Sequence, residues 1–330
     1  MKIETPFTKM MNIQYPIIGA PMFLVSNEDI VVAISEAGGI GTVPSLNFRP
    51  PEAFFSALQN IKQRTKKPIG VNIIVNKSNQ RAQSDLKMAL DQGVELFITS
   101  LGSPKEVIKL AHQNNAKVIC DVTNLEHALK VQDMGADGVI AVGTGAGGHA
   151  GPISPLVLVS WLQKKLHIPV IAAGGIANGA TMAAMITLGA SAVSIGTRFI
   201  ASTEAQVNPE YKKAILKATP EDIVMTTRLS GTPASVIRTP YIVQTGLELP
   251  FYLRFFKNKS WAKKYAVPLI HFLGSKSLEQ AAQNPTWKTV WSAGQSVGLI
   301  DEIKPCRQII EDLVSEYNDC ITQAPRLTSI

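Results

Sequence analysis

Over its first 200 residues the chain repeats one unit: a short β-branched or apolar run, a glycine or asparagine turn, then an amphipathic stretch. The runs fall at residues 16–20, 39–43, 69–74, 96–99, 117–122, 138–142, 169–173 and 192–196. Strands this short, with little polar alternation, suit a sheet covered on both faces. Helical patterns lie between them, for example at 104–114, 125–134 and 177–188. Strands that alternate with helices run parallel. Gly93, Gly135 and Gly189 stand where helix C-caps need left-handed backbone. Eight such units predict an α/β fold, a (β/α)8 barrel in preference to an open doubly wound sheet.

After Arg198 the cadence stops. From about residue 205 to 290 come several prolines, many aromatic residues and a basic cluster, in mainly helical patterns without β-alternation. The expected division is a barrel from 1–205 and 300–330, with 206–299 inserted as a helical lid. An amphipathic helix at 305–322 should pack back on the barrel.

Of the 330 residues, 45% are hydrophobic and 17% charged, the profile of a soluble globular protein. Apolar runs are broken well short of a membrane span. The opening MKIETP carries charge and proline where a signal peptide needs an apolar segment, so a cytoplasmic location is expected. Cys120, Cys306 and Cys320 are widely separated, which argues against a disulfide framework or a zinc site. Cys120 reads as a buried, inert thiol. The net charge of +7 gathers partly in RFFKNKSWAKK at 254–264. That segment reads as a solvated helix with an inward aromatic side, not a nucleic-acid grip. It could also draw small anions towards a cleft. The expected partners are small molecules, with neither nucleic acid nor membrane. A homodimer is left open.

Barrels bind ligands at the C-terminal ends of their strands. Polar and glycine residues, together with Pro21 and Met22, collect at those ends: Asn72, Thr99, Ser100, Asp121 with Thr123, the loop GTGAGGHAG at 143–151, Gly174 with Gly175, and Gly196 with Thr197 and Arg198. The last two groups follow the seventh and eighth barrel strands, where barrels commonly hold phosphate on loop amides. Thr197 could donate a hydrogen bond there and Arg198 could add charge. Gly143, Gly145 and Gly148 formally match a dinucleotide fingerprint. Pro152 and Pro155 prevent the helix it needs from starting directly, and the motif sits at the sixth strand, not the first. His149 can exchange protons at neutral pH and projects beside the glycine floor. His112 and His127 fall in surface helical patterns, His167 at the wrong end of a strand, and His271 in the expected lid. Asp121 could orient a ligand or cap a helix, and both readings stand. No nucleophilic triad, HExxH or paired-carboxylate spacing occurs.

Several of these segments together resemble the nitronate monooxygenase (2-nitropropane dioxygenase-like) flavoproteins. They are Ala20-Pro21-Met22, GVN at 70–72, AGGHAG at 146–151, AGGI at 173–176, GTRF at 196–199 and WSAGQ at 291–295. Flavin-type enoyl-carrier-protein reductases and certain NAD(P)H:quinone reductases share most of them. The resemblance implies non-covalent FMN, with its phosphate on Gly174, Gly175, Gly196 and Thr197 and its ring near Met22 and Asn72. Further cofactor contacts are implied at Ala20, Pro21, Asp121, Ala146, Gly147, Gly148 and Gln295. His149 matches the family's catalytic histidine, and no metal is implied. The implied reaction is oxidation of an alkyl nitronate by dioxygen to a carbonyl compound and nitrite. Many relatives carry an acidic residue where this chain has Gly145, which weakens the enoyl-reductase reading. Some carry lysine where Asp121 stands. The alternatives are an NAD(P)H-dependent flavin reductase of enoyl thioesters or quinones, a flavin-free barrel lyase or isomerase acting on a phosphorylated substrate, and a binding module without turnover.

Overall fold

A computed structural model describes residues 2–76, 78–227, 232–248 and 290–323. Its strands, in chain order, are β1 (Ile17–Gly19), β2 (Ile40–Pro44), β3 (Ile69–Ile74), β4 (Leu96–Ser100), β5 (Lys117–Val122) and β6 (Gly138–Val142). There follow β7 (Gly148–His149), β8 (Val170–Ala173), β9 (Ala192–Ile195), β10 (Ile223–Thr226) and β11 (Ala234–Ile237). All except β7, β10 and β11 form a closed parallel barrel. It closes where β9 returns to β1, with Ser194 opposite Ile18. The (β/α)8 architecture expected from the cadence is therefore present. Gly93, Gly135 and Gly189 all take positive φ at the ends of their helices.

Strand residues alternate between two apolar layers. Outward residues such as Val71, Phe97, Val118, Cys120 and Val139 pack beneath the helices. Inward residues Ile18, Ile40, Leu96, Ile98, Ile119, Ile140 and Ile171 fill the barrel. Phe7, Met11 and Ile13, on and just after the helix Pro6–Met11, join that inner cluster and close the barrel from below. Thr5 caps this helix by accepting from the amide of Thr8, while its hydroxyl donates to the carbonyl of Ser191 at 2.6 Å. The N-terminal end of the barrel is thus plugged, and the C-terminal end carries the loops.

Helices begin on that loop side for a local reason. Asn27, Asn124 and Asn178 each accept a hydrogen bond from an amide in the first helical turn. Asn124, and not Asp121, caps the helix after β5. Directly after β9 comes the short helix Thr197–Ile200, four residues long. The outer position it leaves is filled by the last helix, Cys306–Gln323, whose Ile309, Ile310, Leu313 and Val314 enter the outer apolar layer. Glu316 on that helix accepts from the amide of Gly179 at 2.6 Å, tying it to the helix Gly179–Thr187.

The 206–299 stretch, expected to be mainly helical, also holds strands: among the described residues β10 and β11 form an antiparallel pair, and β11 also pairs with β7. Four-residue apolar runs carry too little periodicity to separate strand from helix, and the third strand of this sheet comes from another part of the chain. The basic segment 254–264 and His271 lie outside the described residues.

Phe7 is fully buried in the plug. Replacing it with alanine should cost about 3–5 kcal/mol of stability through lost burial and a residual cavity. Urea unfolding followed by circular dichroism measures this.

Candidate functional site

The alternation that fills the barrel puts a polar layer at its mouth. Asn72 on β3, Ser100 on β4 and Asp121 on β5 take the inward positions above the apolar layer. They are linked side to side. The amide nitrogen Nδ2 of Asn72 donates to Ser100 Oγ at 2.9 Å and to the carbonyl of Ile98 at 3.1 Å. The Ser100 hydroxyl donates to Asp121 Oδ2 at 2.6 Å. Asp121 is open to solvent along the mouth and yet deeply enclosed by the surrounding wall, which is the environment of a cleft floor. Burial raises its pKa to about 6, against the lowering effect of the Ser100 hydrogen bond.

Across the mouth, the ends of β8 and β9 form a cradle of bare backbone. Gly174 and Gly175 have φ of 110° and 75°, a geometry that disfavours side chains. A Cβ on Gly174 would stand 2.9 Å from the Thr144 carbonyl, one on Gly175 would meet nothing within 4 Å, and one on Gly196 would have Ala20 and Met22 as its nearest neighbours, at 3.7–3.8 Å. The first amides of the helix Thr197–Ile200 have no intrahelical acceptor. Thr197 Oγ1 accepts from the amide of Gly294 at 3.0 Å, which leaves its own hydrogen to donate elsewhere. An anion here would meet amides and a hydroxyl. The carboxylate of Asp121 lies on β5, separated from β9 by β6 and β8. Arg198 does not serve the cradle. Its guanidinium is buried and donates to the carbonyls of Glu302, at 2.9 Å, and Ala201, at 3.4 Å, bracing the return of the chain towards the last helix.

The segment 143–149 forms the third wall. Its backbone lies directly on residues 293–295: the amide of Gln295 donates to the carbonyl of Gly145 at 3.0 Å, and a Cβ on Gly147 would stand 2.9 Å from Gly294 N. Gly147 therefore serves close backbone packing, whereas Gly148 faces open space. Ala146 is half-buried between these two, and Gln295 is exposed at the start of a short 3-10 turn. His149 is exposed and held in β7, opposite Ala234 of β11. Tyr211 stacks on Trp291 with ring centroids 5.5 Å apart, and its hydroxyl donates to the carbonyl of Ser292. That stack steadies the 291–295 wall.

Ala20, Pro21 and Met22 line the β1 side. The loop they open is organised by Asn47, which donates to the carbonyls of Met22 and Ser26 at 3.0 and 2.8 Å and accepts from the amide of Leu24 at 2.9 Å. Asn47 carries no sequence signal, because its role depends on β2 lying beside β1. Ser100 was legible as a polar strand end. Its bridging role was not. Cys120 is buried on the outward face, and burial lifts its thiol to about 11, in keeping with an inert residue. His112, His127 and His167 are all exposed. His112 pairs with Asp137 at 2.8 Å near the start of β6.

A closed barrel with glycine ends on β8 and β9, a polar layer at its mouth and an exposed histidine on β7 is the frame of an α/β-barrel enzyme. The nitronate monooxygenase family profile matches residues 4–316, and the chain belongs to that family of FMN-dependent oxidoreductases. A nitronate monooxygenase of Pseudomonas aeruginosa is 27% identical over 94% of this chain and 98% of its own length. A Mycobacterium tuberculosis protein named (3aS,4S,5R,7aS)-5-hydroxy-7a-methyl-1-oxo-octahydro-1H-indene-4-carboxyl-CoA dehydrogenase is 28% identical over 95% and 96%. Among solved structures, FabK from Thermotoga maritima is 36% identical, covers 98% of both chains and superposes with a TM-score of 0.85. A nitroalkane oxidase from Streptomyces ansochromogenes, 24% identical with a TM-score of 0.82 over 96% and 99%, shares the fold.

The raised pKa of Asp121 has a signed consequence. The folded chain holds that proton more tightly than the unfolded chain, so its contribution to stability is lost as pH rises from about 4 through about 6. Asp121→Asn should therefore be more stable than wild type above pH 6. The shift would correspond to roughly 3 kcal/mol in a dry site, and solvent access reduces this to about 1 kcal/mol. Denaturant titrations at pH 4 and 7.5 check it, with the difference between the two proteins vanishing at the lower pH.

Proposed function

We propose that this chain binds FMN across the barrel mouth and oxidises small alkyl nitronates, with dioxygen as the terminal acceptor, to a carbonyl compound and nitrite. The reading rests on one juxtaposition, a histidine held over the same mouth that carries a backbone anion cradle, in a chain that matches the family nearly end to end. Gly174, Gly175, Gly196 and Thr197 would hold the phosphate. Ala20, Pro21, Met22, Asn72, Asp121, Ala146, Gly147, Gly148 and Gln295 would surround the rest of the cofactor. The fit is physical: Gly175 has open space above its Cα, the Thr197 hydroxyl keeps a hydrogen to donate, and the Asp121 carboxylate stands on β5, two strands from β8.

FMN, when bound, supplies the electron sink and the site of reaction with dioxygen. The protein supplies placement and charge. His149 takes the α-proton when the substrate arrives as a neutral nitroalkane. In its protonated form it offsets the charge of a nitronate anion. The exposed position of His149 on β7 leaves it within reach of a substrate entering from solvent. The 206–299 segment, with its basic stretch, would act as the lid that draws the anion in.

The purified protein should be yellow and should consume oxygen with propyl-2-nitronate in the absence of NADH or NADPH. His149→Ala should lower turnover with the neutral nitroalkane about 10²–10⁴-fold. It should affect the preformed nitronate less. Anaerobic stopped-flow separates the competing reading, an NAD(P)H-dependent reductase of enoyl thioesters, which is favoured by the 36% identity to FabK over 98% of both chains. Rapid bleaching by NADH or NADPH, with none by nitronate, selects that alternative. A colourless protein that takes up no FMN removes both.

A further inference from the structure

The Asn72–Ser100–Asp121 ladder has a direction set by chemistry. A carbonyl oxygen can only accept, so the Asn72 atom 3.1 Å from the Ile98 carbonyl is Nδ2. The second hydrogen of Nδ2 then goes to Ser100 Oγ, 2.9 Å away. Ser100 has one hydrogen, and its acceptor among the described residues is Asp121 Oδ2. That oxygen is therefore kept as an acceptor. The other, Oδ1, has no protein partner among the described residues and belongs to a side chain open to the mouth.

We infer that Asp121 is a second proton-bearing residue of this mouth, with Ser100 as its positioning residue, the proton residing on Oδ1 and directed at the group bound over the floor. The inference rests on the FMN reading for the identity of that group and on the ladder alone for the position of the proton. With the proton present, Asp121 donates a hydrogen bond into the mouth. Without it, a carboxylate faces the bound group and disfavours negative charge there. Its surroundings permit this exchange near neutrality. Ser100 on β4, Asn72 on β3 and Val142 on β6 carry no charge, and Cys120 faces outward. Glu126, His127 and Lys130 lie exposed on the following helix, and His149 stands on β7. The rise of the Asp121 pKa to about 6 accords with this arrangement.

The test follows aspartate side-chain carboxyls by carbon-13 NMR in the FMN-loaded and FMN-free protein from pH 4 to 8, alongside the absorbance of bound FMN. One carboxyl should titrate well above the ordinary range and disappear in Asp121→Asn. It should shift further upward in Ser100→Ala, which removes the hydrogen bond that stabilises the charged form, and return towards the wild-type value in Ser100→Thr. The FMN absorbance should change with the same midpoint in wild type and lose that change in Asp121→Asn. The proposal is overturned if no aspartate titrates above pH 5, if Ser100→Ala leaves the midpoint where it was, or if bound FMN keeps a flat absorbance across the titration of Asp121. Failure to take up FMN instead overturns the cofactor reading, and the carboxyl titration of the free protein still decides the ladder. Circular dichroism of each variant confirms that it is folded.

Discussion

The inward face of each barrel strand has to be filled, and this chain fills it differently at its two ends. Below, isoleucine and leucine side chains from around the ring meet Phe7, Met11 and Ile13 and seal the barrel. Above, the same alternation delivers Asn72, Ser100 and Asp121, which apolar packing could not accommodate unpaired. A polar layer at one end and a plug at the other make the C-terminal mouth the place where a ligand can meet these side chains. The lower packing thereby defines the upper site.

The mouth is built largely of backbone on backbone. The glycine loop before β7 lies on residues 293–295, and Thr197 accepts from Gly294, so three distant segments share one wall. Peptide groups held this way leave few side-chain rotamers to reorganise when an anion arrives, which lowers the entropic cost of binding. The Tyr211–Trp291 stack and the hydroxyl contact to Ser292 extend this support away from the ligand. Arg198 contributes as a brace and not as a ligand, because its guanidinium is committed to two carbonyls below the loop.

Asp121 and His149 are held by two kinds of element. Asp121 stands on a barrel strand within a hydrogen-bonded ladder, fixed by the closed sheet. His149 stands on a two-residue strand whose partner, β11, is drawn from the segment after the barrel. The histidine's strand is thus paired with a strand that follows the barrel strands in sequence, while the Asn72–Ser100–Asp121 row belongs to the barrel. The matched proteins carry names as different as nitronate monooxygenase and FabK.

The sequence by itself determined the barrel, its strand order and the positions of the loop glycines, because strand and helix periodicity are local and repeated eight times. It also marked Gly174, Gly175, Gly196 and His149 as residues at or beyond strand ends, since strand ends are readable from the runs that precede them. Tertiary structure decided what depends on neighbours far along the chain. Asn47 organises the Met22 loop only because β2 lies beside β1, and Ser100 bridges Asn72 to Asp121 only through the register of three parallel strands. The β10–β11 pair escaped reading because each run is four residues long and its third partner lies more than seventy positions away. Arg198 was legible as a charge near a strand end, but its direction was fixed by the carbonyl of Glu302, over a hundred residues on. Periodicity records which face of an element is buried. Only the closed fold brings distant residues within hydrogen-bonding distance, and that is where each polar side chain finds its partner.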